Sequence, residues 1–273
     1  MAHTTLEISF HPETLRLCAY LAFYVMVAVS LAVTTTTVKV DLQSSALMRT
    51  FGYNNVCVFW DYSPAREIAA LVFPVTEYLF QAYVLTAWIR AYQSYAEAEV
   101  SLRYLRAVNV ISPITMTLLA WVRIIFVIDG EQNLLGHTLG FTALQIALLL
   151  VAYLNYFYNE EVDLLPFQGT LGKLGARLLS LAYLVSFTFI TYMKMLIVFS
   201  IFAGTPVVDT TTPSGAAGAQ FVDIAWMFLG AILPAVTAWQ QRWKTRGIRI
   251  ASSSPHIGAD SKRAEVAPLS VPA

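Results

Sequence analysis

A chain of 273 residues that is 57% apolar, only 12% charged and formally neutral excludes an ordinary soluble domain and argues against a nucleic-acid partner. With Cys18 inside an apolar run and Cys57 in a loop as its two cysteines, it has neither a disulfide framework nor a cysteine-based zinc site. The composition predicts an all-α polytopic membrane protein.

A bilayer core of roughly 30 Å needs about 20 helical residues, and backbone polar groups in lipid leave helices as the available spanning structure. Six apolar stretches meet that length, at 15–34, 68–90, 107–128, 135–157, 178–203 and 221–239. Glu7 and Glu13 precede the first run, which is longer than a signal-peptide core, so it reads as an uncleaved helix. The segment 38–67 follows as the one sizeable external loop. Its Phe51, Tyr53, Phe59, Trp60 and Tyr62 suit an interfacial hairpin or short helix that caps the bundle. Pro74, Pro113 and Pro234 fall inside the second, third and sixth spans, as passive kinks or as gating points. Gly136 and Gly140 give the fourth span a small-xxx-small face for close packing. The connection 159–176, with Gly169, Gly172 and Gly175, reads as a flexible loop, and 204–219 as a small-residue linker. The whole of 1–250 is one six-span domain, and 251–273, rich in Ser, Ala and Pro, is expected to be a disordered tail.

Basic residues set the direction, because Lys and Arg near span ends accumulate on the cytoplasmic side. Arg90, Arg103 and Arg106, then Lys173 and Arg177, then Arg242, Lys244, Arg246 and Arg249 fall on one side of alternating spans, which predicts that both termini are cytoplasmic. The opposite side carries Lys39, Arg49 and Arg66 in the first loop.

Ionisable side chains inside lipid are costly and ask for a partner. Glu77 in the second span and Lys194 in the fifth both lie about 14 Å from the external surface by helical rise, so they can pair. Two readings stand for them: an ion pair that holds helices together, and a proton-handling or headgroup site. Arg123 near the external end of the third span, with Asp129, Glu131, His137 and Asp223 close to the same surface, completes a polar external half. Arg123 suits a phosphate or snorkels to the interface beside Asp129. His137 is an anchor or, with carboxylates near, a general acid–base for an ester. The cytoplasmic halves hold mainly Asn109, Ser112, Asn155 and Gln240 and are expected to be dry. The four histidines cannot converge on a metal site, no serine-hydrolase or zinc-protease motif is present, and no cofactor is indicated.

With Pro64–Ala65–Arg66–Glu67 before the second span, Asp129–Gly130–Glu131 before the His137-bearing fourth, and Val236–Thr237–Ala238–Trp239 closing the sixth, the layout resembles the Frag/DRAM/Sfk family of six-span membrane proteins. The resemblance implies a protein of the endomembrane system or plasma membrane that acts on or organises lipids, and it marks Pro64, Arg66, Glu67 and His137 as family-like positions. Membrane lipids are the expected partners, with a cytosolic partner conceivable at the basic stretch from Arg242 to Arg249. The leading expectation is a lipid-handling protein whose external-half cavity is lined by Glu77, Arg123, His137, Lys194 and Asp223. The rivals are a proton- or anion-coupled transporter using Glu77 and Lys194, a retinal protein using Lys194, and a non-catalytic scaffold.

Overall fold

The computed structural model describes residues 6–37 and 41–252. Six helices long and apolar enough to span a membrane make the chain an all-α, multi-pass membrane protein. In chain order, the strand β1 (Leu6–Phe10) leads into α1 (Pro12–Thr37), a 3-10 turn at Leu42–Ser44 and the short helices α2 (Ala46–Phe51) and α3 (Val58–Asp61). The second span is α4 (Ala65–Ala96), the third is α5 (Leu102–Trp121) continued by α6 (Ile124–Val127), and the fourth is α7 (Leu134–Glu161). The fifth is α8 (Gln168–Phe202), and the sixth joins α9 (Pro213–Met227), a π-helical turn at Phe228–Ile232 and α10 (Leu233–Gln241). Strand β2 (Ile248–Ser252) pairs antiparallel with β1, Phe10 opposite Ile248, and ties the segment before the first span to the segment after the last. Lys39 and the tail beyond Ser252 lie outside the described residues.

Several helices outrun their apolar stretches, because a helix continues until its backbone is capped whereas hydropathy registers only the lipid-facing part. Helix α4 runs to Ala96, six residues past Arg90, which sets Arg90 about 9 Å inside the helix end. Two segments expected to be loops are partly helical. Residues 168–176 begin α8, interrupted at Gly172, whose φ of +69° breaks the ladder at little cost for a residue without Cβ. Residues 213–219 open α9, where the Thr212 hydroxyl accepts from Gly215 N–H and Pro213 occupies the first turn.

Without water to drive apolar burial in lipid, close helix contact depends on small side chains and fit. Ala19, Ala69, Ala91, Ala147 and Ala238 are fully buried at such contacts. Helix α7 is the centre of the bundle: 61% of its apolar window is buried, against 28–39% for the other five spans. Gly140 permits this, since a Cβ there would sit 2.7 Å from Ile125 Cγ1 and 3.2 Å from the Val122 carbonyl. The outer surface is apolar instead, with Leu71 80%, Val185 68% and Phe189 59% exposed, the inverse of a water-soluble protein.

At the loop end, the first connection folds as short helices that cap the bundle. Trp60 is buried and stacks on Phe141 of α7, with ring centroids 5.7 Å apart and planes 7° from parallel. Phe51 packs edge-on against Phe202 at the end of α8.

Proline 234 has no N–H to give the Gly230 carbonyl, so the sixth span widens into its π turn just before it. Three tyrosines repair the backbone: Tyr20 donates to Gly230 O (3.2 Å), Tyr24 to Ala231 O (2.7 Å) and Tyr183 to Leu229 O (3.2 Å). Neighbouring helices thus satisfy the carbonyls that a proline frees in an apolar medium.

Candidate functional site

The residues expected to share one external cavity divide among three separate contacts. Glu77 of α4 accepts from Arg123, the residue between α5 and α6, and from Gln81 Nε2 one turn along its own helix at 2.9 Å. Arg123 itself is 62% exposed while Glu77 is buried, so the guanidinium covers the carboxylate from the outside. Lys194 of α8 pairs with Asp223 of α9, and its ammonium lies 4.5 Å from the ring centre of Trp226. The expected Glu77–Lys194 pair is therefore corrected. Each has a nearer partner on a sequence-adjacent span, and the transporter reading built on their coupling loses its premise.

His137 forms the third contact. Its Nδ1 lies 3.2 Å from the Ile128 carbonyl, and its Nε2 stands 3.6 Å from Oδ1 of Asp61, a residue the sequence reading passed over. Both side chains are buried beneath the cap. Burial first, then the charges of Glu131 and Asp129 against the opposing Arg66, push the Asp61 carboxyl up to about 7. Cys57 nearby is a buried thiol pushed well above its usual range by burial and then by Asp61, which leaves it a poor nucleophile.

Of the family-like positions, Pro64 immediately precedes α4, and Arg66 spans Asp129 (3.2 Å) and Glu67 (3.6 Å), bracing the cap against the third loop. The hub of that brace is Glu131. Burial raises its carboxyl, but the Ala46 N–H (2.7 Å), Tyr62 hydroxyl (2.8 Å) and Arg49 guanidinium (3.0 Å) outweigh it and hold the group below the usual carboxylate range. These contacts tie the first loop to the third as a lid.

The opposite end of the bundle, where β1 and β2 pair, is not dry. Glu13 and Arg16, one turn apart on α1, and Arg90 of α4 are 0%, 3% and 1% exposed. Glu13 meets Arg16 at 2.7 Å and Arg90 at 3.4 Å, so one carboxylate serves two guanidiniums. Aromatic faces complete the shell: Arg90 lies 4.0 Å from the Tyr158 ring centre and Arg16 5.8 Å from that of Tyr83. The Tyr83 hydroxyl donates to Asn155 Oδ1 at 2.6 Å.

Beside this cluster opens a cavity of about 110 Å³ between α1, α7, α8 and α10. Most of its wall is apolar, from Leu148, Val151, Ala152, Tyr183, Leu233 and Pro234, and Leu179 at its edge is 45% exposed. Its polar side is Arg16, Asn155, Asn159, Thr237 and Gln241. Among the described residues, Arg16 Nε, Asn155 Nδ2, Asn159 Oδ1 and Gln241 Oε1 are buried and make no hydrogen bond. A second, more open hollow of about 310 Å³, lined by Lys244, Gln168 and Asp163, shares Pro166 and Gln241 with the first. Asp163 there is already paired with Lys173 at 2.9 Å.

The sequence reading missed this site because Glu13 and Arg90 looked like flanks of apolar runs. The available signal was the i, i+3 spacing of Glu13 and Arg16, which sets both on one face of α1.

No protein-family model, curated protein or solved structure matches this chain.

Proposed function

We propose that this multi-pass membrane protein binds a lipid-like amphiphile in the cavity between α1, α7, α8 and α10. The observation that carries the reading is the wall itself: a largely apolar slot bordered by a half-exposed leucine, among whose lining residues Arg16, Asn155, Asn159 and Gln241 each carry a buried polar atom without a hydrogen bond. Ligand sites are characteristically apolar clefts with a few convergent polar groups that fix orientation. Helix interfaces lacking a ligand function are expected to close on small residues, as α7 does against α6 at Gly140. The architectural resemblance to the Frag/DRAM/Sfk family implies a lipid role as well, in the endomembrane system or at the plasma membrane. Binding or organising lipid is the proposed activity. The buried groups supply orientation, and Asp61 and His137, adjacent at the cap, lie in a different part of the molecule.

The test is photo-crosslinking with a bifunctional lipid in native membranes, followed by peptide mapping. Labelling concentrated on α7, α8 and α10 around Ala152, Leu179 and Leu233 is expected. Labelling spread evenly over the exposed faces around Leu71, Val185 and Phe189 contradicts a defined site.

A further inference from the structure

Resting on that reading, we infer that the amphiphile carries an oxyanion headgroup, a phosphate or carboxylate, received by Arg16 at the polar end of the cavity. The argument is a charge count. Glu13 supplies one negative charge, whereas Arg16 and Arg90 supply two positive ones, and all three side chains are at most 3% exposed. Among the described residues Glu13 is the one carboxylate paired with either arginine. An uncompensated cation held out of water is strongly disfavoured, and a guanidinium, unlike an ammonium, cannot escape by losing its proton.

The surplus is not spread evenly. Arg90 Nε is also without a hydrogen bond, but the hollow Arg90 lines is only about 10 Å³, and its guanidinium is covered by the Tyr158 face and flanked by Glu13. Arg16 is the member that lines the cavity. Its Nε makes no hydrogen bond among the described residues, and its Nη2 has only a long contact, 3.4 Å, to Thr237 Oγ1 besides Glu13. Asn155 lines the same space and carries a second unused donor, its Nδ2, while its oxygen accepts from Tyr83. A donor pair of guanidinium and amide matches the acceptor oxygens of a phosphate or carboxylate, and charge-assisted bonds of this kind are the strong ones. Exposed Lys244, on the hollow that joins the cavity through Gln241, places a further positive charge along the approach.

The experiment measures dissociation constants by calorimetry for the full chain in an uncharged detergent, with three probes: 1-oleoyl lysophosphatidate, 1-oleoyl glycerol and inorganic phosphate. Lysophosphatidate is expected to bind about tenfold to a hundredfold more tightly than the uncharged monoglyceride, the span of one or two charge-assisted bonds. Arg16→Gln should erase that preference. Thr237→Asp is the second variant, since it sets a carboxylate where a hydroxyl now faces Arg16. It balances the cluster internally and is expected to erase the preference while raising the melting temperature. Equal binding of lysophosphatidate and monoglyceride overturns the oxyanion inference and leaves the amphiphile reading in place. Inorganic phosphate binding as tightly as lysophosphatidate keeps the anion site but overturns the amphiphile reading. Binding of none of the three overturns both, and a preference that survives Thr237→Asp overturns the assignment to Arg16.

Discussion

Arg90 of α4 reaches Glu13 of α1 at 3.4 Å, a contact across 77 positions of sequence between two side chains that are 1% and 0% exposed. It joins the first two spans at the end of the bundle where sequence reasoning expected no polar chemistry, and its three members do not contribute equally to stability.

Glu13→Gln leaves two buried guanidiniums without an anion, whereas Arg90→Met leaves a balanced Glu13–Arg16 pair. Breaking a buried ion pair by removing one partner costs about 3–5 kcal/mol when a charge is stranded. Glu13→Gln is therefore expected to lower the detergent melting temperature far more than Arg90→Met. Equal losses in thermal unfolding contradict the unequal charge count.

The π turn before Pro234 predicts a coupling. Tyr20→Phe removes the donor to the Gly230 carbonyl and should cost about 1–3 kcal/mol, the penalty of an unsatisfied buried acceptor. Pro234→Ala restores an N–H within reach of that same carbonyl, so Tyr20→Phe should cost much less in that background. A double-mutant cycle on unfolding free energy with no interaction contradicts this account.

Asp61 gives the cap a pH dependence of defined sign. Its carboxyl is raised from 3.8 to about 7 by burial and by Glu131 and Asp129, so the cap holds the protonated acid more favourably than the ionised one. The Asp61 contribution to cap stability is expected to be full below about pH 4 and to fall as pH rises towards 7, where the buried group ionises. The groups facing Asp61 are His137, Cys57, Glu131, Asp129 and Arg66, and Asp61→Asn removes the acid while leaving them in place. Hydrogen exchange across Ala46–Phe51 and Val58–Asp61 should rise with pH, beyond the intrinsic chemical rate, in the parent protein and not in Asp61→Asn. An identical profile in both contradicts the assignment.

Gly140→Ala tests the approach of the third span to the central helix. Its Cβ would meet Ile125 Cγ1 at 2.7 Å and the Ile125 backbone nitrogen at 3.0 Å, a clash that side-chain rotation alone does not relieve. A loss of about 1–3 kcal/mol is expected in thermal or denaturant unfolding. Gly218→Ala, where a Cβ meets nothing within 4 Å, is the matched control and should be close to neutral.

The spans were legible in the sequence because lipid imposes a length and an apolar composition that no tertiary context overrides. Side-chain partners were much less so. Glu77 and Lys194 share a depth, and depth alone suggested a pair. Depth does not fix which way a helix faces, and each found a partner on the span next to it in sequence, Arg123 and Asp223. The cluster of Glu13, Arg16 and Arg90 was hidden by the opposite error. Charges at the edges of apolar runs read as topology signals, although α4 continues to Ala96 and carries Arg90 into the interior. Asp61 was concealed for a third reason. Nothing local distinguishes a solvated loop acid from one that a folded cap presses against α7, because the contact with His137 is made across 76 positions.

The most direct test of the central claim, an occupied cavity between α1, α7, α8 and α10, is native mass spectrometry of the protein released from mild detergent, compared with Ala152→Trp. Ala152 lines the slot, so the indole fills the space proposed for the ligand. The account predicts a lipid-mass adduct retained on the parent protein and absent from Ala152→Trp, with both unfolding cooperatively. Retention of the same adduct by the folded variant, or its absence from both, contradicts the claim.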